Sequence, residues 1–436
     1  MPRLLVLLLT LLPLATLAEP AHLRVQGSNT IGAALLPALV QGQLRAQQAT
    51  AIEQYPGKLA NETVITARDK HGQPLRIDIA AHGSSTGFVA LGHGEADLAA
   101  ASRPINDNEA SQLQALGDLR AAAAEQVIGL DGVAVIVHPD NPLPQLTTGQ
   151  LAQIFAGQIQ RWEQLGVAGG AIHLYARDDR SGTFETFKAL VLEPQQSELS
   201  PKAQRFESSD ELAARVGADR QAIGFSSLAA VHGAKVLAVA EGDAPAMLPE
   251  RALVASEDYP LSRRLYFYLP ANPKPQAKAL ADFTQSPAGQ AIVAQQGFVS
   301  QQIKAQPVPP SGRHAAALSH PRPTGATVER EFPLPGRQRQ PRQQGPARCP
   351  AGCRLPAPSG QVAAQGGAGG LWRPQGDTRV APPCSPALRA QAVRRELARD
   401  GVEVLEVTGM GDELPVAGNE LEQGRLRNRR VEVWVH

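Results

Sequence analysis

Residues 177–184 read Arg177-Asp178-Asp179-Arg180-Ser181-Gly182-Thr183-Phe184, and the fold turns on how this stretch is read. It lies between an apolar strand-like run, Ala171 to Ala176, and an apolar helix-like run, Phe184 to Leu192. A strand that turns over Ser-Gly-Thr into a helix leaves several backbone N–H groups without intrahelical partners. Those donors, two hydroxyls and one or two guanidinium groups can converge on a small anion.

Working outward, the same pattern recurs. His22 to Gln26 reads as a first strand, Gly27 to Gly32 as its turn, and Ala33 to Gln47 as a helix. Leu75 to Ala80 reads as a second strand, followed by His82-Gly83-Ser84-Ser85-Thr86-Gly87 and another helix. Asp97 to Ala101 reads as a third, ending in Ser102-Arg103-Pro104. Strand, turn and helix in repetition predict an α/β fold of right-handed βαβ units around a largely parallel sheet. Ligands of such sheets sit beyond the carboxyl ends of the strands, where these turns lie. Any one Ser/Thr-rich turn is equally well a helix cap. Turns at 28–30, 84–86, 102–103 and 181–183, each where a strand ends, point further, to neutral donors gathered around a desolvated anion.

Bulk properties narrow the class. The chain has 436 residues and a net charge of +1, which gives no basis for a nucleic-acid partner. Its three cysteines, Cys349, Cys353 and Cys384, fall in one late segment, so residues 1–348 are expected to fold without disulfides. The opening MPRLLVLLLTLLPLATLAEP carries Arg3, an apolar run and a small-residue cleavage site, which reads as a signal peptide over residues 1–18. No Cys follows the apolar run to take a lipid, so a soluble periplasmic location is expected. His82, His93, His138 and His173 lack metal-ligand spacing, and Gly-x-Ser-x-Gly is absent. No catalytic residue, metal or cofactor is therefore expected.

The motifs together carry a resemblance. They are Gly27-Ser28-Asn29-Thr30, Gly83-Ser84-Ser85-Thr86-Gly87, Ala101-Ser102-Arg103-Pro104-Ile105, the Asp131-to-Val137 run, residues 151–162, and Arg177 to Thr183. On these, residues 22–305 resemble the periplasmic phosphate-binding component of ABC-type phosphate uptake systems. The resemblance implies a type II periplasmic-binding fold of two α/β lobes closing like a hinge. Lobe one would take about 19–131 and 265–305, and lobe two about 132–264. The crossings would run from Asp131 to Pro139 and from Arg264 to Leu269. It implies ligand contacts from the Thr30 hydroxyl, the Ile31 N–H, Ser84, Arg177, Ser181, Gly182 and Thr183. The aspartate that the family often has, which accepts a hydrogen bond from protonated phosphate, would fall at Ser102. A serine both donates and accepts, so sulfate is not excluded by that device. Arg180 stands where the family usually has Gly. Trp162 is expected in core packing. The implied partners are inorganic phosphate or a similar oxyanion and an inner-membrane ABC permease.

The composition changes at Gln306. Residues 306–384 are rich in Pro, Gly, Gln and Arg and read as a disordered linker or as a segment translated in a shifted frame, about 309–387. Order returns with an amphipathic helix at 389–401, a strand at 402–407, a loop at 409–415 and a helix end running into a last strand. Residues 385–436 resemble the end of an OmpA-like peptidoglycan-binding domain, on Arg389-Ala390, Gly409-Met410-Gly411, Pro415, Asn419 and Asn428 to Val433. That resemblance implies Arg389 as a wall-peptide contact and peptidoglycan as a partner. The competing readings are a cell-envelope structural or adhesion protein with a vestigial anion site, and a phosphatase-like enzyme, which lacks a nucleophile–base pair.

Overall fold

The computed structural model describes residues 21–302 continuously and, beyond them, 305–307, 326–328, 362–367, 391, 393–395, 398, 404–411, 415–419, 422–428 and 431–435. Residues 1–18, read as a signal peptide, the cysteines and Arg389 lie outside the described residues.

The first lobe opens with β1 (Ala21–Gly27), α1 (Asn29–Gly32) and α2 (Leu35–Ala46). A hairpin of β2 (Thr50–Pro56) and β3 (Glu62–Arg68) then precedes β4 (Pro74–Ala80), α3 (Ser84–Gly92), β5 (Leu98–Ala101) and α4 (Asp107–Gln112). The long strand β6 (Glu125–Val137) crosses to the second lobe. There follow β7 (Gln145–Thr147), α5 (Thr148–Phe155), β8 (His173–Arg177), α6 (Gly182–Phe187), β9 (Gln204–Phe206) and α7 (Ser209–Ala218). Strands β10 (Ala222–Ser227), β11 (Lys235–Val236) and β12 (Ala238–Ala240) with α8 (Arg251–Ala255) complete that lobe. The chain returns through β13 (Ser262–Tyr268) and closes the first lobe with α9 (Pro275–Gln285) and α10 (Pro287–Gln295).

The strands run in the order β2-β3-β4-β1-β5-β13-β6-β10-β8-β9, with β11 also on β6. β1 is parallel to β4 and β5, and β8 to β10 and β9. The hairpin and both crossing strands pair antiparallel with their neighbours, so the sheet is mixed rather than largely parallel. The hairpin escapes a periodicity reading because β2 is exposed along nearly its whole length and carries no apolar alternation.

β6 belongs to both lobes. Its first part, Glu125 to Gly132, pairs with β13, and Val133 to Val137 pair with β10. Val133-Ala134-Val135-Ile136-Val137 is wholly buried, the continuous apolar run that a strand covered on both faces requires. The return pairing starts at Ser262, opposite Gly132, so the second lobe ends near residue 261 and the expected crossing at Arg264 is corrected to an earlier one. Leu23, Val25, Leu39, Ile77 and Phe267 centre one core. Phe155, Trp162, Phe187 and Phe225 centre the other, with Phe187 and Phe225 stacked at 4.0 Å. Trp162 is core packing as expected, and its Nε1 donates to the Gln221 carbonyl at 3.2 Å.

Beyond the lobes, β14 (Ala305–Pro307), β15 (Ala326–Val328), β16 (Val362–Gly367), β17 (Val404–Gly411), α11 (Glu422–Asn428) and β18 (Val431–Val435) form a second sheet, in the order β14-β15-β18-β16-β17. β15 and β16 fall in the stretch expected to be an unstructured linker. β17 continues through Gly409-Met410-Gly411, expected as loop. Arg427 of α11 reaches the second lobe, donating to Glu241 at 2.5 Å and to the Glu257 carbonyl at 3.2 Å.

Candidate functional site

The turns singled out in the sequence meet between the lobes. Thr30, Ile31, Ser84, Ser102, Arg177, Ser181, Gly182 and Thr183 are all buried. β1 delivers Thr30 and Ile31 through α1, β4 delivers Ser84 at the start of α3, and β5 ends at Ser102. β8 ends at Arg177, and its turn places Ser181, Gly182 and Thr183 at the start of α6. Helices α1 and α3 start without a side-chain cap, while Ser181 Oγ caps α6, accepting from the N–H groups of Thr183 and Phe184 at 3.2 and 3.4 Å.

Hydroxyls from the two lobes face one another. The Thr30 and Thr183 oxygens, one from each lobe, are 3.1 Å apart, and those of Ser84 and Ser102, both of the first lobe, are 3.4 Å apart. The Ser102 N–H donates to Ser84 Oγ at 3.1 Å. Gly182 fills the space between the serines. A Cβ there would overlap Ser84 Oγ and stand 2.6 Å from Ser102 Oγ. Gly83, at φ +125°, lets the backbone of α3 approach the Arg180 carbonyl. Ile31 packs into the first-lobe core, which leaves its backbone as its polar contribution.

The two guanidinium groups divide the work in a way the sequence reading did not foresee. Arg177, 1% exposed, donates to the carbonyls of Phe206 (3.1 Å) and Glu207 and to Ser209 Oγ. All three acceptors are neutral. Burial pushes Arg177 down to about 10, with repulsion from Arg263 adding to it and Asp178 opposing it. Arg263, on β13, reaches the hydroxyls instead. It donates to Thr183 Oγ1 at 2.8 Å and Thr30 Oγ1 at 3.2 Å. Strand register sets Arg263 opposite Asp131 on β6, and Nε and Nη2 donate to Asp131 Oδ2 at 2.9 and 2.6 Å. The signal lay in charges of opposite sign inside apolar strands, the lone Asp131 of Gly129-Leu130-Asp131-Gly132-Val133 and the arginine pair of Leu261-Ser262-Arg263-Arg264-Leu265. Asn29 was missed too. Its Oδ1 accepts from the Ser209 N–H at 3.2 Å across the lobes, and its buried Nδ2 has no hydrogen-bond partner.

Around this floor runs a charged rim. Arg103, expected only as the residue after Ser102, donates to Glu109 of its own lobe at 2.6 and 2.7 Å and to Glu185 of the other. Burial raises Glu185 above the usual carboxylate range despite Arg103. His82, one of the histidines expected in surface or packing roles, joins two carboxylates, Glu207 of the second lobe at 2.6 Å and Glu62 of the first at 3.3 Å. Burial opposes the charge on Glu207, but His82 and Asn61 outweigh it and hold the group below its ordinary value. Arg180 is half exposed, 3.7 Å from Glu207, and contributes its carbonyl, not its charge, to the lobe contact.

With hydroxyls, helix starts and a cation from both lobes meeting in one buried spot, the constellation is that of a two-lobed anion receptor. A family model described as a PBP superfamily domain matches residues 37–288. The chain belongs to the PBP superfamily. Phosphate-binding protein PstS of Pseudomonas aeruginosa is 29% identical over 243 residues, covering 52% of this chain and 74% of its own. Protein SphX of Synechococcus elongatus is 27% identical over 258 residues, covering 56% and 75%. Among solved structures, one from Clostridium perfringens, provisionally assigned as the substrate-binding protein of a phosphate ABC transporter and holding phosphate, aligns at a TM-score of 0.52. It is 24% identical and covers 64% of this chain and 100% of that one, a likeness that shows the fold. That fold is the type II two-lobed one. The chain stands with binding proteins and not with enzymes.

Proposed function

We propose that this chain is an exported receptor that captures inorganic phosphate, or a closely related tetrahedral oxyanion, between its lobes. It delivers the anion from the periplasm to an inner-membrane ABC permease. The observation that carries the reading is Arg263 donating to one hydroxyl of each lobe, at 2.8 and 3.2 Å, inside a fully buried contact. In this reading Thr30, the Ile31 N–H, Ser84, Ser102, Ser181, Gly182 and Thr183 supply donors. Arg177, with two of its five N–H groups uncommitted, supplies charge from behind the turn. The relatives named as phosphate-binding proteins support phosphate as the first anion to test. Isothermal titration of the full chain with phosphate tests the reading. Saturable one-site heat is expected, and no heat with phosphate, sulfate or phosphonate would defeat it.

A second function is proposed for the tail. Residues 385–436 are read as the end of an OmpA-like module that holds the receptor near the peptidoglycan, with Arg389 as the wall contact. What favours this is a strand, a helix and a last strand on one sheet, together with the buried Asn428. Its Oδ1 accepts from the N–H groups of Val416 and Ala417 at 2.9 and 3.1 Å. Co-sedimentation with purified sacculi, lost in Arg389→Ala, is the expected outcome. Equal sedimentation of a chain ending at 305 would remove the tail from that role.

A further inference from the structure

Two guanidinium groups and one carboxylate are buried at the floor, and the carboxylate is already saturated. Asp131 Oδ1 accepts from Ser227 Oγ at 3.0 Å and from the Leu228 N–H at 3.2 Å, while Oδ2 accepts twice from Arg263. A carboxylate offers about four lone-pair sites. All four are taken, so Asp131 has none left for a proton on a ligand.

Apart from Asp131, the side-chain oxygens that Arg263 reaches are hydroxyls. Thr30 and Thr183 each accept an Arg263 N–H; with their oxygens 3.1 Å apart one donates to the other, and the second proton is left to be donated. Ser84 accepts from the Ser102 N–H and likewise keeps its proton. Asn29 adds an unpartnered buried amide donor. The charge count agrees with the donor count. Arg263 is balanced by Asp131, whereas Arg177 donates to neutral oxygens only, with Asp178 and Glu207 acting on its charge without a hydrogen bond from it. Among the described residues no carboxylate touches the hydroxyls of Thr30, Thr183, Ser84 or Ser102, and the carboxylate that orients Arg263 is saturated; the buried Asp178 Oδ2, which has no hydrogen-bond partner, lies 4.0 Å from Arg180.

We propose that this cleft selects its anion by charge and not by a ligand proton, so that it takes tetrahedral dianions, sulfate as well as hydrogen phosphate, and discriminates against monoanions. The proposal rests on the oxyanion reading above and refines it. In a desolvated pocket a ligand hydroxyl needs an acceptor, and leaving one unmet costs about 1–3 kcal/mol. A carboxylate at position 102 would meet that need and would repel a bare oxygen. Ser102 can accept from a ligand hydroxyl without repelling a bare oxygen, because its proton rotates to whichever role the ligand leaves open. A dianion gains more than a monoanion from two buried guanidinium groups, since charge–charge energies in such a site exceed those in water several-fold.

The test is titration of the full-length chain with sodium sulfate and sodium phosphate near pH 8 and near pH 5.5, with Ser102→Asp alongside. Near pH 8, sulfate is expected to bind within about tenfold of phosphate, a gap of about 1.4 kcal/mol or less. On acidification phosphate is expected to weaken by roughly tenfold or more as its monoanion takes over, while sulfate holds. The sulfate arm separates ligand protonation from any change in the protein. Ser102→Asp is expected to weaken sulfate about 100-fold and to leave phosphate far less affected. Tight phosphate binding with sulfate about 1000-fold weaker in the unmodified chain would overturn the proposal and leave the phosphate reading standing. Absence of heat with either anion would overturn both. The wild-type comparison decides the matter even if Ser102→Asp does not fold.

Discussion

The floor of the cleft and its rim are both polar seams between the same two lobes, yet their charges are arranged differently. At the rim each basic side chain meets carboxylates: Arg103 meets Glu109 and Glu185, and His82 meets Glu62 and Glu207. At the floor one cation is paired, the other is not, and the rest is hydroxyl and amide. The rim satisfies itself and needs nothing from outside. On the oxyanion reading proposed above, an anion completes the floor. Self-sufficient pairs hold the closed state in place, and unsatisfied donors give that state its selectivity.

Breaking the floor's internal pair should have the largest effect. Asp131→Ala leaves Arg263 buried without its partner and should lower unfolding stability by about 3–5 kcal/mol, read from urea denaturation. Removing the cation instead should cost binding. Arg263→Ala forfeits charge-assisted bonds of about 1.5–3 kcal/mol and should weaken phosphate by roughly 10- to 100-fold in titration. An unchanged affinity would move the anion away from Arg263. Gly182→Ala pushes a methyl between Ser84 and Ser102 and should cost about 1–3 kcal/mol of closed-state binding while leaving unfolding of the separate lobe cores nearly unchanged.

The rim should respond least. His82→Ala should weaken phosphate only a few-fold, since partly exposed ion pairs contribute about 0–1 kcal/mol. Its pH dependence has a defined sign. Glu207 is held below its ordinary value in the closed form, so its contribution is fully present above the carboxylate range and is lost as pH falls through the depressed value. Binding of sulfate, which does not change charge there, should therefore hold through mildly acidic pH and fall only in strong acid. A loss near neutrality would break the contrast between floor and rim.

Much of the floor was legible in the sequence because it is made of local chemistry. Ser84, Ser102, Ser181, Gly182 and Thr183 sit in turns where strands end, and short polar residues at such positions announce themselves. Arg263 did not, because its meaning depends on register. Only the pairing of Ser262–Tyr268 with β6 sets it against Asp131 and swings it to Thr30 and Thr183. The rim was illegible for a related reason. His82 and Glu207 are 125 positions apart and meet only through the placing of one lobe against the other. The β2–β3 hairpin was hidden for the opposite reason, an edge strand so exposed that no burial pattern marks it. The parallel sheet was inferred from repeating strand–turn–helix units, a pattern that cannot reveal strands returning through a crossing.

The place of the Asp131–Arg263 pair has a mechanical consequence. It lies on the two strands that join the lobes, close to the line about which they would swing. In a rotation, displacement grows with distance from the axis, so atoms on the pivot hardly travel. The ion pair can then stay dry and intact through each opening, while Glu207 sweeps away from His82. The receptor would keep its most expensive contact permanently assembled, and each cycle of capture and release would spend only hydroxyl contacts and rim pairs.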